Sequence, residues 1–185
     1  MDVASAPGRG FTLTELVTTL AIVGVMTAIA APSLLRIQQN ETLRGDVYDM
    51  LAHINRARWH AVNRQVAVTT CASTDGINCA DSHDWTAGWI VFEDVDEDYV
   101  HDADEPLLHT GRPASAKALT IAAFGSASEY LRFLPNGRTI ENSTLTFCDR
   151  RGAAAARAIR VSRSGRARIS VGNDGASPLR CPLTL

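Results

Sequence analysis

The 185-residue chain carries none of the short signatures that mark common enzyme sites. There is no H-E-x-x-H pair, no glycine-rich phosphate loop and no nucleophile elbow, so those metal, nucleotide and acyl-transfer chemistries have no anchor. The five histidines, at 53, 60, 83, 101 and 109, form no paired metal motif. His53 and His60 read as polar-face or interfacial residues of a helix. Cys71, Cys79, His83 and Asp84 reach zinc only at poor spacing, and a disulfide between the two cysteines is the stronger reading. We therefore expect a non-enzyme that needs no cofactor. Repeats and low-complexity segments are also absent. Aromatics are 6% and the net charge is -2, so no bulk field defines the molecule. What remains outside one apolar run, about 150 residues, suffices for a single modest core.

Charge is missing altogether from residues 16–35. Twenty helical residues rise ~30 Å, the thickness of a bilayer's hydrocarbon layer. The run exceeds the apolar stretch of a secretory signal, although A-I-A at 28–30 imitates a signal-peptidase site. A retained single-pass anchor is thus the first reading, with Gly24 and Pro32 tolerated inside it and Pro32 a soft place. Three features go beyond an anchor: a ten-residue polar leader, an R-G-F junction at 9–11, and Glu15 at the edge of the run. A carboxylate near membrane depth needs a partner. A cut after Gly10 would give Phe11 a new α-amine, and Glu15 would become the fifth residue. The amine of one copy and the acid of the next could then neutralise each other in lipid.

The segment G-F-T-L-T-E-L at 10–16 resembles the cleavage region of type IV prepilins and type II secretion pseudopilins. That resemblance implies cleavage after Gly10 by a prepilin peptidase, N-methylation of Phe11, and Glu15 guiding assembly into a filament of pilin subunits. It further implies residence in the bacterial inner membrane, with the C-terminal part in the periplasm, before assembly into a pilus or pseudopilus.

After Arg36 the pattern becomes amphipathic. Ile37, Leu43, Val47, Met50, Leu51, Ile54, Ala57 and Ala61 recur near a 3.6-residue period, with Arg36, Glu41, Arg44, Asp46, Asp49 and Arg56 between them. One helix is expected over about 12–62. From residue 64 on, strand-like segments follow at 66–71, 88–93, 119–124, 130–134, 139–147, 158–162 and 166–171, with tight turns at P-N-G 135–137 and S-G 164–165. The fold class is α+β, with four parts: a leader 1–10, a membrane or filament-core helix 11–35, an amphipathic helix 36–63 and a β-rich domain 64–185. A pilin fold with an antiparallel sheet matches this order. G-W-I-V-F-E-D at 88–94 and F-L-P-N-G-R at 133–138 further resemble segments of the FimT/GspH family of minor pilins and pseudopilins.

Four cysteines lie outside the apolar run. An even count in a membrane-targeted chain points to an oxidising compartment and two bridges. Of three pairings, Cys71–Cys79 with Cys148–Cys181 is favoured. Four reduced thiols are the alternative.

Residues 94–105 read D-V-D-E-D-Y-V-H-D-A-D-E, which places oxygens at EF-hand-like spacing. Tyr99 stands where such a loop wants glycine, and the flanks read as strands. A solvated hairpin loop is the first reading. Calcium on Asp94, Asp96, Asp98 and Glu105 is the second.

From Asp149 onward, eight arginines face two acids, a local balance of +6. The asymmetry points to an anionic partner, and guanidinium suits phosphate. As a hairpin, 157–171 would turn Ile159 and Val161 inward and Arg160 and Ser162 outward. Arg163, Ser164 and Gly165 would form the turn. Arg166, Arg168 and Ser170 would share one face, with Ala167, Ile169 and Val171 on the other. A solubilising face whose arginines pair with carboxylates is the alternative. G-R-A-R at 165–168 resembles the G-R-x-R motif of FimT-type pilins that bind DNA in natural transformation. This implies DNA contact by Arg166 and Arg168, with Gly165 shaping the turn; by alternation Arg160 and Arg163 cluster on the same edge, and contact there would be to phosphates, indifferent to sequence. The competing functions are a structural minor pilin that primes assembly and a pseudopilin without DNA binding. An anchored calcium-binding or catalytic module is a more distant third.

Overall fold

The computed structural model describes residues 10–113, 119–125, 129–172 and 178–181, with Pro32 in backbone only. Residues 1–9 of the expected leader 1–10, and Asp174, lie outside them. The described chain contains one α-helix, α1 (Leu13–Arg64), and eight strands: β1 (Val68–Ala72), β2 (Trp89–Glu93), β3 (Leu107–Gly111), β4 (Leu119–Gly125), β5 (Tyr130–Phe133), β6 (Ser143–Asp149), β7 (Arg157–Val161) and β8 (Ala167–Val171). Two compact units divide it, residues 1–40 and 41–185.

In the first unit, α1 begins one residue after Thr12. The Glu15 amide donates to Thr12 Oγ1 at 3.3 Å, and the Leu16 amide donates to the Thr12 carbonyl at 3.1 Å. Thr12 is therefore the N-cap and Glu15 the N3 residue, where a carboxylate also favours the positive end of the helix dipole. The T-L-T-E spacing at 12–15 thus has a local structural role besides the one inferred from the junction. The helix contains an 18-residue window apolar enough to cross a membrane, none of it buried. It runs through Gly24 and Pro32 without a break.

In the second unit, Leu43, Val47, Met50, Ile54, Ala57 and Ala61 form the buried stripe. Their alternating steps of four and three residues keep one face turned inward. Leu51 is half-buried against this core. Two expectations are corrected. Ile37 is 56% exposed, because it lies in the first unit, ahead of the core stripe that begins at Leu43. Asp46, expected between the apolar positions, is buried. The helix ends where Gln65 adopts φ +56° and its amide nitrogen donates to the Val62 carbonyl at 2.7 Å, a side-chain substitute for the usual glycine cap.

The expected antiparallel β-domain forms two four-stranded sheets, β3-β2-β1-β5 and β4-β6-β7-β8. One cluster unites the helix stripe with Trp85, Trp89, Val91, Leu131, Phe133, Leu145, Phe147, Ile159 and Val161. The 139–147 segment becomes a strand only from Ser143 on, since Thr139 makes just an isolated bridge to Phe133. Both favoured disulfides are present, with Cα separations of 5.6 Å for Cys71–Cys79 and 5.8 Å for Cys148–Cys181. The first leaves no thiolate for the zinc alternative.

Candidate functional site

The arginine hairpin is built by the β7–β8 register, which sets Arg160 opposite Arg168 and Val161 opposite Ala167. The turn closes through the Gly165 amide to the Ser162 carbonyl at 2.7 Å and the Ser162 amide to the Arg166 carbonyl at 3.1 Å. Ile159 and Val161 point into the core. Arg163, Arg166 and Arg168 are exposed.

Two residues depart from the burial that alternation predicts, although Ser170 keeps the face of Arg160 and Arg168. Ser170 is buried beside Arg168, and Val171 is 54% exposed. For Ser170 the cause lies on the outer face of the second sheet. There Cys148, Ala156 and Ala158 pack with Leu179 and Cys181, so the segment at 178–181 straps over the middle of the sheet. Ser170 is the register partner of Ala158 under that cover. Arg160 is consequently half-buried, and its Nε donates to Ser170 Oγ at 3.2 Å. It lines a cavity of about 400 Å³ with Phe124, Thr144, Thr146, Leu179 and Arg180.

The turn is locked from beneath by a residue that no motif identified. Arg58, on the helix, donates from Nε to the Gly137 carbonyl at 2.9 Å and from Nη2 to the Ser164 carbonyl at 3.3 Å. The P-N-G turn and the arginine turn thereby become one body. The Thr139 amide donates to the Arg163 carbonyl at 3.1 Å, and the Arg163 amide donates to Asn142 Oδ1 at 3.0 Å. Gly165 sits at φ +74°, and a Cβ there would lie far inside van der Waals contact of the Gly137 oxygen and 2.9 Å from Arg58 Nε. Gly165 is thus a packing requirement as much as a turn residue. The same contacts bring exposed Arg138 to this end of the molecule. Arg58, Arg138 and Arg180 were missed as site residues because their proximity arises from tertiary packing.

Among the described residues, no salt bridge involves Arg138, Arg163, Arg166 or Arg168. Arg132, Arg151, Arg64 and Arg44 each have a carboxylate. The acidic loop keeps its own cation, Arg132, whose Nη2 lies 2.7 Å from Asp94 Oδ2 with both side chains buried. Asp94, Asp96 and Asp98 each offer an oxygen within 4.8 Å of the others. Glu105 stands outside that group, accepting from the Val95 amide at 2.6 Å and the Asp102 amide at 3.3 Å. Burial first, then the nearby charges of Asp94 and Asp96, push its carboxyl above the usual range, against those two amide bonds.

The helix histidines, expected on the polar face or at an interface, both meet β2. His53 is buried, and its Nδ1 accepts from the Trp89 indole at 3.0 Å. His60 is half-buried and lies 2.5 Å from Glu93.

Gly10, Phe11 and Glu15 are exposed at the start of the described chain.

Two crystal forms of the type IV minor pilin FimU of Pseudomonas aeruginosa superpose on the chain. One gives a TM-score of 0.56 at 22% identity, covering 78% of this chain and 98% of FimU. The other gives 0.51 at 20% identity, covering 69% and 91%. The minor pseudopilin EpsH of Vibrio cholerae gives 0.48 at 8% identity over 69% of this chain and 95% of EpsH. No curated protein sequence matches. A family model described as "Type II transport protein GspH" matches residues 47–165, from Val47 on the core stripe to Gly165 in the arginine turn. That match takes in more than half of the residues, and the chain belongs to the GspH family.

Proposed function

We propose that this chain is a minor pilin-type filament subunit that binds DNA, without regard to sequence, through the arginine end of its second sheet, in the service of natural transformation. One observation carries the reading. Exposed Arg138, Arg163, Arg166 and Arg168 have no carboxylate bridge among the described residues, although other arginines do. Like charges gathered on one strand pair repel one another, and an anion relieves that repulsion. The turn that bears them is fixed by Arg58 and Gly165, so little ordering is left for binding to impose.

In the same reading, a prepilin peptidase removes the leader after Gly10 in the inner membrane and Phe11 is methylated. Glu15 then meets the new amine of a neighbouring subunit, and the β-rich domain faces the periplasm until assembly. Weak single-copy affinity is raised by several copies on one filament.

With ~3–4 phosphate contacts per subunit, log affinity should fall with log salt at a slope of about -3 on duplex DNA. A gel shift tests this. Wild type should retard DNA at low salt, and Arg166→Gln with Arg168→Gln should abolish it. The GspH match favours a second reading, a structural subunit of a pilus or of type II secretion. Absence of any wild-type shift at low salt would select it.

A further inference from the structure

We propose that the loop after β2 is a site for a hard divalent cation of calcium's size, held by Asp94, Asp96 and Asp98 and not by the fourth acid of the sequence pattern, Glu105. Asp94 follows β2 directly, and its amide donates to the Ala67 carbonyl at 2.9 Å. Its Oδ2 is fully committed, accepting from the Thr69 hydroxyl and from Arg132 Nε and Nη2 at 3.0 and 2.7 Å. Its Oδ1 is buried and has no hydrogen-bond partner. A buried, unpaired carboxylate oxygen is rare in a native protein and calls for a ligand. Asp94 contributes to a group whose other members, Asp96 and Asp98, bring their oxygens within 4.8 Å.

Arg132 balances one of these three charges, and it is already shared with Glu97 at 3.8 Å and the Tyr99 ring at 3.4 Å. Two negative charges are left over at close range, an arrangement a cation relieves. All three donors are oxygens, the set that magnesium and calcium prefer to softer metals. Calcium is favoured because it accepts irregular geometry and fills its remaining positions with carbonyls and water.

The loop is held in this form by other groups. Glu105 clamps its neck through two amides, and His101 Nδ1 and Nε2 lie 2.7 and 3.2 Å from the carbonyls of Ile77 and Glu105. Tyr99, in the place where an EF-hand has glycine, takes the required left-handed conformation at φ +72°. The site is therefore organised before any cation arrives.

The test uses the full chain in detergent micelles, stripped with chelator and titrated with calcium chloride by calorimetry. Terbium luminescence sensitised through Tyr99 serves as a second signal. One saturable site is expected, with an affinity of about 10⁻⁴–10⁻³ M, the range of extracellular modules. Asp96→Asn with Asp98→Asn should weaken it at least tenfold, whereas Asp104→Asn, on an exposed acid outside the group, should not. Calcium should also raise the melting temperature of wild type, and equimolar magnesium should not. Absence of saturable binding up to 10 mM calcium, equal binding by the double variant, or equal stabilisation by magnesium would overturn the assignment.

Discussion

Gly165→Ala separates a turn residue from a packing residue. Its backbone angle, φ +74°, is almost that of Gly152 at +72°. A left-handed alanine costs roughly 1–2 kcal/mol at either position. At Gly152 nothing lies within 4 Å of the added Cβ, so that is the whole effect. At Gly165 the methyl would collide with the Gly137 carbonyl, which is backbone and cannot rotate away. The two turns must separate, and Arg58 loses its bonds to Gly137 and Ser164. Charge-assisted bonds are worth about 1.5–3 kcal/mol each when buried. One of these is part-buried and the other exposed, so about 2 kcal/mol together is a fair discount. At roughly 2–4 °C per kcal/mol, Gly165→Ala should melt about 4–8 °C below Gly152→Ala. Thermal unfolding by circular dichroism reads the difference. Two variants melting within about 1 °C of each other would refute the interlock and return Gly165 to a simple turn role.

Loss of the Cys148–Cys181 bridge, with a sequence separation of 33, should remove roughly 3–4 kcal/mol on the chain-entropy model, against roughly 2–3 for Cys71–Cys79 with its separation of 8. Urea unfolding of the two Cys→Ser pairs measures both, and the reverse order would show that strain or residual structure dominates. His53 is held below its usual pKa first by burial, then by His109 and Arg56, with Asp49 opposing. The folded state thus takes its proton less readily than the unfolded state. The contribution is intact above about pH 6.5 and is lost as pH falls towards the lowered value. His53→Gln should flatten the stability profile between pH 7.5 and 5, and an unchanged slope would exclude His53 as its source.

Much of this was legible in the residues. The helix stripe from Leu43 to Ala61 follows from periodicity, because one face of a helix must be covered. The hairpin, with Arg160 and Arg168 on its outward face, follows from period-2 alternation and an S-G turn. Ser170 keeps the outward face that alternation assigns it, but it is buried there because a strap tied by Cys148–Cys181 covers that face, a contact spanning more than thirty residues. The role of Arg132 was illegible for a related reason. Inside a strand it reads as an outward cation, yet the loop that needs it arrives from 38 residues earlier. Tyr99 spoke against a tight acidic loop on local grounds. Its ring against the Arg132 guanidinium, a contact supplied by β5, accompanies a backbone conformation that propensity disfavours.

The Arg132–Asp94 pair makes the acidic loop and the edge of the first sheet a single heritable unit. Replacing the guanidinium alone would strand a carboxylate in the interior, a loss of about 3–5 kcal/mol and a large share of a small domain's margin. Descendants that discard one partner should therefore discard the other, and the rest of the loop, freed from its anchor, should then diverge in length and composition faster than the strands it joins.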